Sequence, residues 1–182
     1  SETFAYQLRP AFFSGLYPEE CNIAHLFCYN PEDSPFKDMP EDLSREEIIR
    51  FARNIEASKG HTASQLYADP VEIPTKYLKY FAYSEKYNIF DPDYIKGFRS
   101  VFDILREKSM SYLYVGYPTH DGKTETVMNE FGKRFNNTVN FIFLHFSELD
   151  WSGHDHGPFS KNRKEVLLQI DDAIRQIFIT LN

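Results

Sequence analysis

The residues best suited to chemistry lie in one polar stretch near the end of the chain. From His145 to Pro158 the sequence carries three His, three acidic residues and its only Trp. Asp150 and His154 are four positions apart, so their side chains would share one face if the stretch became helical. Carboxylate oxygens and imidazole nitrogens suit zinc, manganese and similar ions. The spacing therefore makes Asp150 and His154 candidate ligands of one metal ion.

A metal-free interpretation of the same stretch stays open. Polar loops rich in His and Asp are often simply solvated, and a D-x-x-x-H pair alone is a common pattern. His145, inside a predicted strand, and His156, beside a turn, are less favoured as ligands. Glu148 and Asp155 are expected either to support the ligands from behind or to be solvated.

The patterns around this stretch place it after a strand. Residues 139–146 form an apolar run without alternation, which is typical of a buried strand, and residues 147–158 are then predicted to form a loop. Ser160 is the expected N-cap of a helix that continues to Leu181, with apolar residues at helical spacing. Earlier patterns predict helices at 44–60, 100–108 and 124–135 and a strand at 112–117.

The alternation of helix and strand from residue 97 onward predicts an α/β domain with a mostly parallel sheet flanked by helices. We expect residues 1–182 to form a single α/β domain with an irregular, aromatic-rich insertion at approximately 30–96. Its aromatic run from Tyr77 to Tyr87 is expected to pack on the core, with a substrate shelf as the alternative. Cys21 and Cys28 are expected to be free, buried thiols.

The charge pattern bears on possible partners. The 182 residues include 20 basic and 27 acidic side chains, a net charge of −7, and the basic residues are scattered. The scattering predicts no nucleic-acid-binding patch, so a phosphorylated partner would have to meet metal ions or local cations. No apolar run approaches the roughly 20 residues of a membrane span. Compartment and oligomeric state stay open.

Two motifs resemble those of a known family. Residues 149–158, LDWSGHDHGP, closely resemble the D-x-x-G-H-x-x-G-P motif of type I phosphodiesterases and nucleotide pyrophosphatases in the alkaline phosphatase superfamily. Residues 13–20, FSGLYPEE, are similar to the TGLYPEE segment that follows the nucleophile in that family. The motifs occur in the family's order and the resemblance spans nearly the whole chain, which implies an alkaline-phosphatase-like fold.

The resemblance implies a metal-dependent hydrolase of phosphodiester or pyrophosphate bonds, acting on a small phosphodiester or nucleotide. In the family two metal ions, usually zinc, assist a Thr or Ser nucleophile that attacks phosphorus, and water then hydrolyses the covalent phospho-enzyme. The Asp and His of the motif bind one of these ions, which implies a metal role for Asp150 and His154. Two cations of this kind can clamp the attacking and the leaving oxygen of an in-line displacement.

The resemblance leaves the nucleophile open. The family's usual spacing from the GLYPEE segment falls on Ala5, which cannot attack phosphorus. Thr3, in a Thr-Phe pair similar to the one around the family's nucleophile, needs a two-residue shift, and Ser1 is a further candidate. The family's His-Gly after this segment is replaced by Cys21-Asn22, and the amide of Asn22 could contact a phosphate oxygen.

Other ligands of the family fall outside the sequence. Its first Asp ligand would precede Ser1, and its Asp-His pair and final His would follow Asn182. We therefore expect this chain to be the central piece of an incomplete catalytic domain, with at most half of a metal site and no activity by itself. The alternatives are a non-catalytic binding domain on the same scaffold and a phosphomonoesterase or sulfatase-like member of the superfamily.

Overall fold

The computed structural model describes residues 3–21, 27–58, 73–84 and 88–182. The chain divides into two compact units, Ser1–Ser109 and Met110–Asn182. A division into two compact units does not decide whether the chain forms one domain or two. The single domain expected over residues 1–182 therefore stays a prediction. Among the helices of the described residues, none combines the length and the apolar character that crossing a bilayer requires.

The first unit surrounds a small aromatic core. Its described elements are α1 (Thr3–Ser14), α2 (Pro18–Cys21), β1 (Phe27–Tyr29), α3 (Arg45–Ser58), α4 (Thr75–Leu78), β2 (Phe81–Tyr83) and α5 (Val101–Glu107). The two strands pair antiparallel, with Cys28 opposite Ala82. The core cluster beside them consists of Phe36, Ile48, Leu78 and Tyr83. Cys21 is buried, Cys28 is half-buried, and both are free thiols.

Local sequence signals account for α3 and α5. Ser44 and Glu47 form a capping box at the start of α3, because the Glu47 amide donates to Ser44 Oγ at 3.3 Å and the Ser44 amide donates to Glu47 Oε2 at 3.0 Å. Ser100 and Asp103 form an equivalent box at the start of α5.

Two predictions in the first unit need correction. Helical spacing predicts that Val101, Ile104 and Leu105 share an apolar face of α5. This is partly wrong, because Leu105 is buried together with Phe102 whereas Ile104 is 38% exposed. The aromatic run beginning at Tyr77 does not pack uniformly, because Tyr77 is 47% exposed while Tyr83 is 4% exposed. Tyr87, at the end of that run, lies outside the described residues.

The second unit has a parallel strand pair at its centre. Its elements are β3 (Tyr112–Val115), α6 (Thr124–Arg134), β4 (Phe141–Leu144), α7 (Glu148–His156) and α8 (Lys161–Leu181). The strands β3 and β4 pair in parallel, from Tyr112 opposite Phe141 to Val115 opposite Leu144. The buried cluster of Leu113, Val115, Val127 and Phe131 fixes α6 against β3. Helix α6 buries Val127 and Phe131, which are four residues apart and therefore share one face of the helix.

The α/β class is confirmed, but the arrangement of the sheet is not. In the described part of the chain, one two-stranded sheet is parallel and the other is antiparallel, so a mostly parallel sheet is not confirmed. The strand predicted to be buried is half-buried throughout, from Phe141 to Leu144. The stretch after it, predicted to be a loop, contains the nine-residue helix α7.

Candidate metal site

The site is built at the carboxyl ends of β3 and β4. Because the strands are parallel, the connections that follow them emerge at the same edge of the sheet, where ligands commonly bind in α/β proteins. The His145 amide donates to the Val115 carbonyl at 2.9 Å and extends the pairing by one residue. The first connection runs from Gly116 to Lys123 and the second from His145 to Ser147, where α7 begins.

Backbone contacts tie these two connections together. The Ser147 amide donates to the Gly122 carbonyl at 2.8 Å. A β-carbon added to Gly122 would collide with the Ser147 hydroxyl, and one added to Gly116 would lie 2.6 Å from the β-carbon of His145. Both glycines also have positive φ angles, which other residues rarely adopt. The connection after β3 therefore fixes where α7 starts.

Glu148 anchors the first turn of α7 on a neighbouring helix. Its Oε2 accepts a hydrogen bond of 2.7 Å from the Thr124 amide, the first amide of α6. A carboxylate is favourable there, because the first amides of a helix have no partner within the helix and carry its positive end. Glu148 is thus engaged with α6 and is not simply solvated, and its expected role behind the ligands stays a prediction.

Helix α7 places the predicted ligands on one side. Asp150 Oδ1 and His154 Nε2 are 3.7 Å apart, and the two side chains are 68% and 54% exposed. An exposed ion pair of this kind contributes only about 0–1 kcal/mol of stability, so the pair is not needed to hold the helix. The helix dipole favours acidic residues in the first turn and His in the last turn, so both residue types are compatible with α7.

The chemistry of this pair fits a zinc ion. Ligand atoms lie about 2.0–2.1 Å from zinc in a tetrahedral site, which puts two of them about 3.3 Å apart. The observed 3.7 Å between oxygen and nitrogen is about 0.4 Å longer than that value. Among the described residues, however, no group of three or more His, Cys, Asp or Glu gathers around a common point.

Arg163 holds α7 against the start of α8. Its Nη1 donates to the Pro158 carbonyl at 2.8 Å, and its Nε makes a longer contact of 3.4 Å with the Leu149 carbonyl. The Arg163 amide also donates to Ser160 Oγ at 3.1 Å, which confirms the predicted N-cap of α8. The turn between the helices is completed by Gly157, whose φ of 91° is accessible to glycine.

A second His–carboxylate pair follows β3. His120 Nε2 lies 3.7 Å from Glu130 Oε2, and both side chains are 22% exposed. Thr119 Oγ1 lies 2.8 Å from His120 Nδ1 and donates to the Gly116 carbonyl at 2.9 Å, so the imidazole is held from both sides. A hydrogen bond from Lys133, with the charges of Lys133 and His120, lowers the pKa of Glu130 below its usual value.

A family model for type I phosphodiesterase / nucleotide pyrophosphatase matches residues 3–182. The chain belongs to this family. The resemblance carried by residues 13–20 and 149–158 is thereby confirmed, and the mixture of helices with small sheets fits the family's α/β class. No curated protein and no solved structure matches the chain. Membership in the phosphodiesterase family indicates a hydrolase of that type, which acts on small phosphodiester substrates.

The predicted site residues have different outcomes in this chain. Asp150 and His154 lie side by side on α7, and their role as metal ligands stays a prediction. Thr3 begins α1, but its side chain lies outside the described part, so its role as nucleophile also stays a prediction. Ser1 and Asn22 lie outside the described residues. The side chains of Asp155 and His156 are exposed at the end of α7.

Several supporting residues could not be predicted from sequence. Glu148 and Arg163 act through partners 24 and 14 positions away, and no local pattern signals contacts of that range. The pairing of His120 with Glu130 could not be predicted either, because Glu130 lies ten positions away on α6 and this separation matches neither helical nor strand periodicity. A usable signal was present at Gly116 and Gly122, since glycines after a predicted strand often mark a close backbone approach.

Proposed function

We propose that this chain contributes to a metal-dependent hydrolase of phosphodiester or pyrophosphate bonds, with Asp150 and His154 as ligands of one divalent ion, zinc. The observation that carries the proposal is the 3.7 Å approach of two zinc-type ligand atoms on an exposed face of α7. This face lies just beyond the carboxyl edge of a parallel strand pair, a common position for a binding site. Family membership supplies the substrate class.

The chemistry would run through a phosphorylated residue of the protein. In the proposed reaction a hydroxyl oxygen attacks phosphorus, the leaving alcohol or phosphate departs with a proton, and water then cleaves the new phosphate ester. Thr3 is our candidate for that hydroxyl, on the resemblance of its Thr-Phe context. A bound divalent ion supplies Lewis-acid stabilisation of the phosphoryl oxygens. Asp150 and His154 bind and orient that ion.

Zinc titration of the chain tests the ligand assignment. We expect weak binding, since two protein ligands hold zinc less firmly than a closed four-ligand site. Asp150→Ala and His154→Ala should each weaken the affinity by more than the roughly tenfold that loss of an outer-shell partner causes. Asp155→Ala and His156→Ala are matched controls, because they remove the same residue types from the same helix. Equal affinity in all four variants contradicts the assignment.

A trapping experiment addresses the nucleophile separately. The chain would be incubated with a chromogenic phosphodiester and zinc, quenched in acid and analysed by mass spectrometry after digestion. A phosphate ester on Thr3 that still carries the diester's second alcohol, absent from Thr3→Ala, would support its role. Phosphorylation of Ser1 in its place would assign the alternative candidate.

A non-catalytic binding domain is the second candidate. It is favoured by the small number of potential metal ligands, since among the described residues no third His, Cys, Asp or Glu joins Asp150 and His154. The two candidates differ in turnover, because a binding domain retains a nucleotide without cleaving it. In a longer protein that contains this chain, chelator-sensitive hydrolysis of a chromogenic phosphodiester supports the hydrolase, whereas chelator-insensitive nucleotide binding without hydrolysis supports the binding domain.

A further inference from the structure

Arg163 touches α7 at the residue before each of the two proposed ligands. Its Nε lies 3.4 Å from the carbonyl of Leu149, which precedes Asp150. The same nitrogen faces Gly153, which precedes His154: a β-carbon built on Gly153 would lie only 3.2 Å from Nε. The other end of the guanidinium is fixed by the Pro158 carbonyl at 2.8 Å.

These contacts fix the rotation of α7 about its own axis. Leu149 and Gly153 are four residues apart and form one row along the helix, and the next row, about 100° around, is Asp150 and His154. A guanidinium seated on the first row sets the direction in which the second row points. Its planar, forked donors suit this task, because they can serve two carbonyls in fixed directions at once.

Gly153 has no side chain, and this allows Arg163 to approach α7 closely at that position. Gly153 lies inside a helix, where alanine would ordinarily be preferred over glycine. The added carbon would meet Arg163 more closely than ordinary packing allows, so the guanidinium would have to move. Glycine at this position therefore has a reason in the structure, which is the close approach of Arg163.

We propose that Arg163, seated on Gly153, is a positioning residue that orients Asp150 and His154 toward a shared divalent ion. The inference rests on the proposed function, since it takes those two side chains as ligands. Arg163 does not bind the ion itself. It acts by restricting the ligand row to the orientation in which both atoms reach one ion, so that less conformational freedom is lost on binding.

Whether zinc affinity rises or falls when Arg163 is replaced distinguishes a positioning role from a purely electrostatic one. Removing a positive charge beside a cation site would, through space alone, raise the affinity for zinc. Loss of positioning lowers it. Arg163→Met keeps most of the aliphatic stem and removes the donors, and Arg163→Lys keeps the charge but replaces the fork by a single ammonium. Positioning predicts weaker binding in both variants, by roughly tenfold in Arg163→Met.

The experiment is a zinc titration of the full chain by calorimetry, with cobalt absorption spectra as a second readout of ligand geometry. Gly153→Ala should weaken zinc binding in the wild-type background and have no further effect in Arg163→Ala, whose side chain lacks the Cδ and Nε atoms that approach Gly153. Arg175→Met is the matched control: Arg175 lies on the same helix and pairs with Asp172, away from α7. Its affinity and spectrum should equal those of the wild type.

The outcomes separate this inference from the proposed function. If Asp150→Ala and His154→Ala bind zinc as well as the wild type, the proposed function fails. If those variants lose binding while Arg163→Met, Arg163→Lys and Gly153→Ala retain it, only the positioning role is overturned. Ile170→Val, a change in the core side of α8, controls for a general loss of stability. If this variant lost as much zinc affinity as an Arg163 variant of equal stability, the inference would also be overturned.

Discussion

At the scale of single residues, the backbone at Gly157 determines how α7 can end. Its φ of 91° and ψ of 156° fall in a region that is essentially restricted to glycine. We expect Gly157→Ala to lower the free energy of unfolding by about 1–3 kcal/mol, measured by urea denaturation. Gly132→Ala is the control, because Gly132 lies in α6 with open space around it and should be neutral or stabilising by up to about 1 kcal/mol. Equal effects would contradict the assignment of strain.

Asp103 should give the first unit a measurable dependence on pH. It is 8% exposed. Burial by itself would raise the pKa of its carboxyl, but hydrogen bonds from Ser100 and Arg106 outweigh burial and hold that pKa below the usual value. A lowered pKa in the folded state means that the stabilisation is present above the unfolded pKa of about 3.9 and is lost as the pH falls through the folded value.

The test compares wild type with Asp103→Asn in urea unfolding at several pH values. We expect the variant to be less stable by about 1 kcal/mol near pH 7, since a charged hydrogen-bond acceptor is lost. The difference should shrink as the pH falls below about 4, because the carboxyl protonates first in the unfolded chain and, at lower pH, in the folded protein as well. Leu105→Ala, a buried change on the same helix that removes no charge, should show no such convergence. A difference independent of pH would contradict the role of the charge.

At the scale of elements, α8 shows how far sequence patterns reach. Its start at Ser160 and its apolar stripe were both predictable, because N-caps and helical periodicity are local signals. The stripe included Val166, Leu167, Ile170, Ile174, Ile177 and Phe178. The structure buries Ile170 and Ala173 on this helix, whereas Leu167 is 51% and Phe178 62% exposed. Periodicity identifies an apolar face but not what covers it.

Two substitutions on α8 should differ sharply for this reason. Ile170→Ala removes a side chain that is 8% exposed and should lower the unfolding free energy by about 2–4 kcal/mol. Leu168→Ala removes one that is 59% exposed and should change it by less than about 1 kcal/mol. Both are measured by the same urea titration. Similar losses would mean that Leu168 is covered in solution.

Helix α7 marks the limit of prediction from sequence at the site. The i, i+4 spacing of Asp150 and His154 was readable, and so was the possibility that the stretch becomes helical. Its polar, Gly-containing sequence nevertheless resembled a loop. The helix is supported by contacts distant in sequence, namely Glu148 on the Thr124 amide and Arg163 on the Leu149 carbonyl. Local propensity contains no information about such partners.

At the scale of the whole molecule, the described residues that support the candidate metal site all belong to one compact unit. Gly122, Thr124, Glu148 and Arg163 all lie in Met110–Asn182 together with Asp150 and His154. We therefore expect a protein of residues 110–182, once circular dichroism shows it to be helical, to bind zinc with the affinity of the full chain. Calorimetry measures this directly. A markedly weaker affinity would show that residues 1–109 supply a ligand or a support.

The glycines at 116 and 122 also constrain how this region can change over evolutionary time. Each lies against a residue of the neighbouring connection, Gly116 against His145 and Gly122 against Ser147, with no room for even one added carbon. A larger residue at either glycine would need both space from its neighbour and a backbone conformation that other residues rarely adopt. The two segments are therefore expected to change together in evolution. A gene library that randomises all four codons should yield folded survivors that keep glycine at 116 and 122, and grafting either segment alone into a relative should fail.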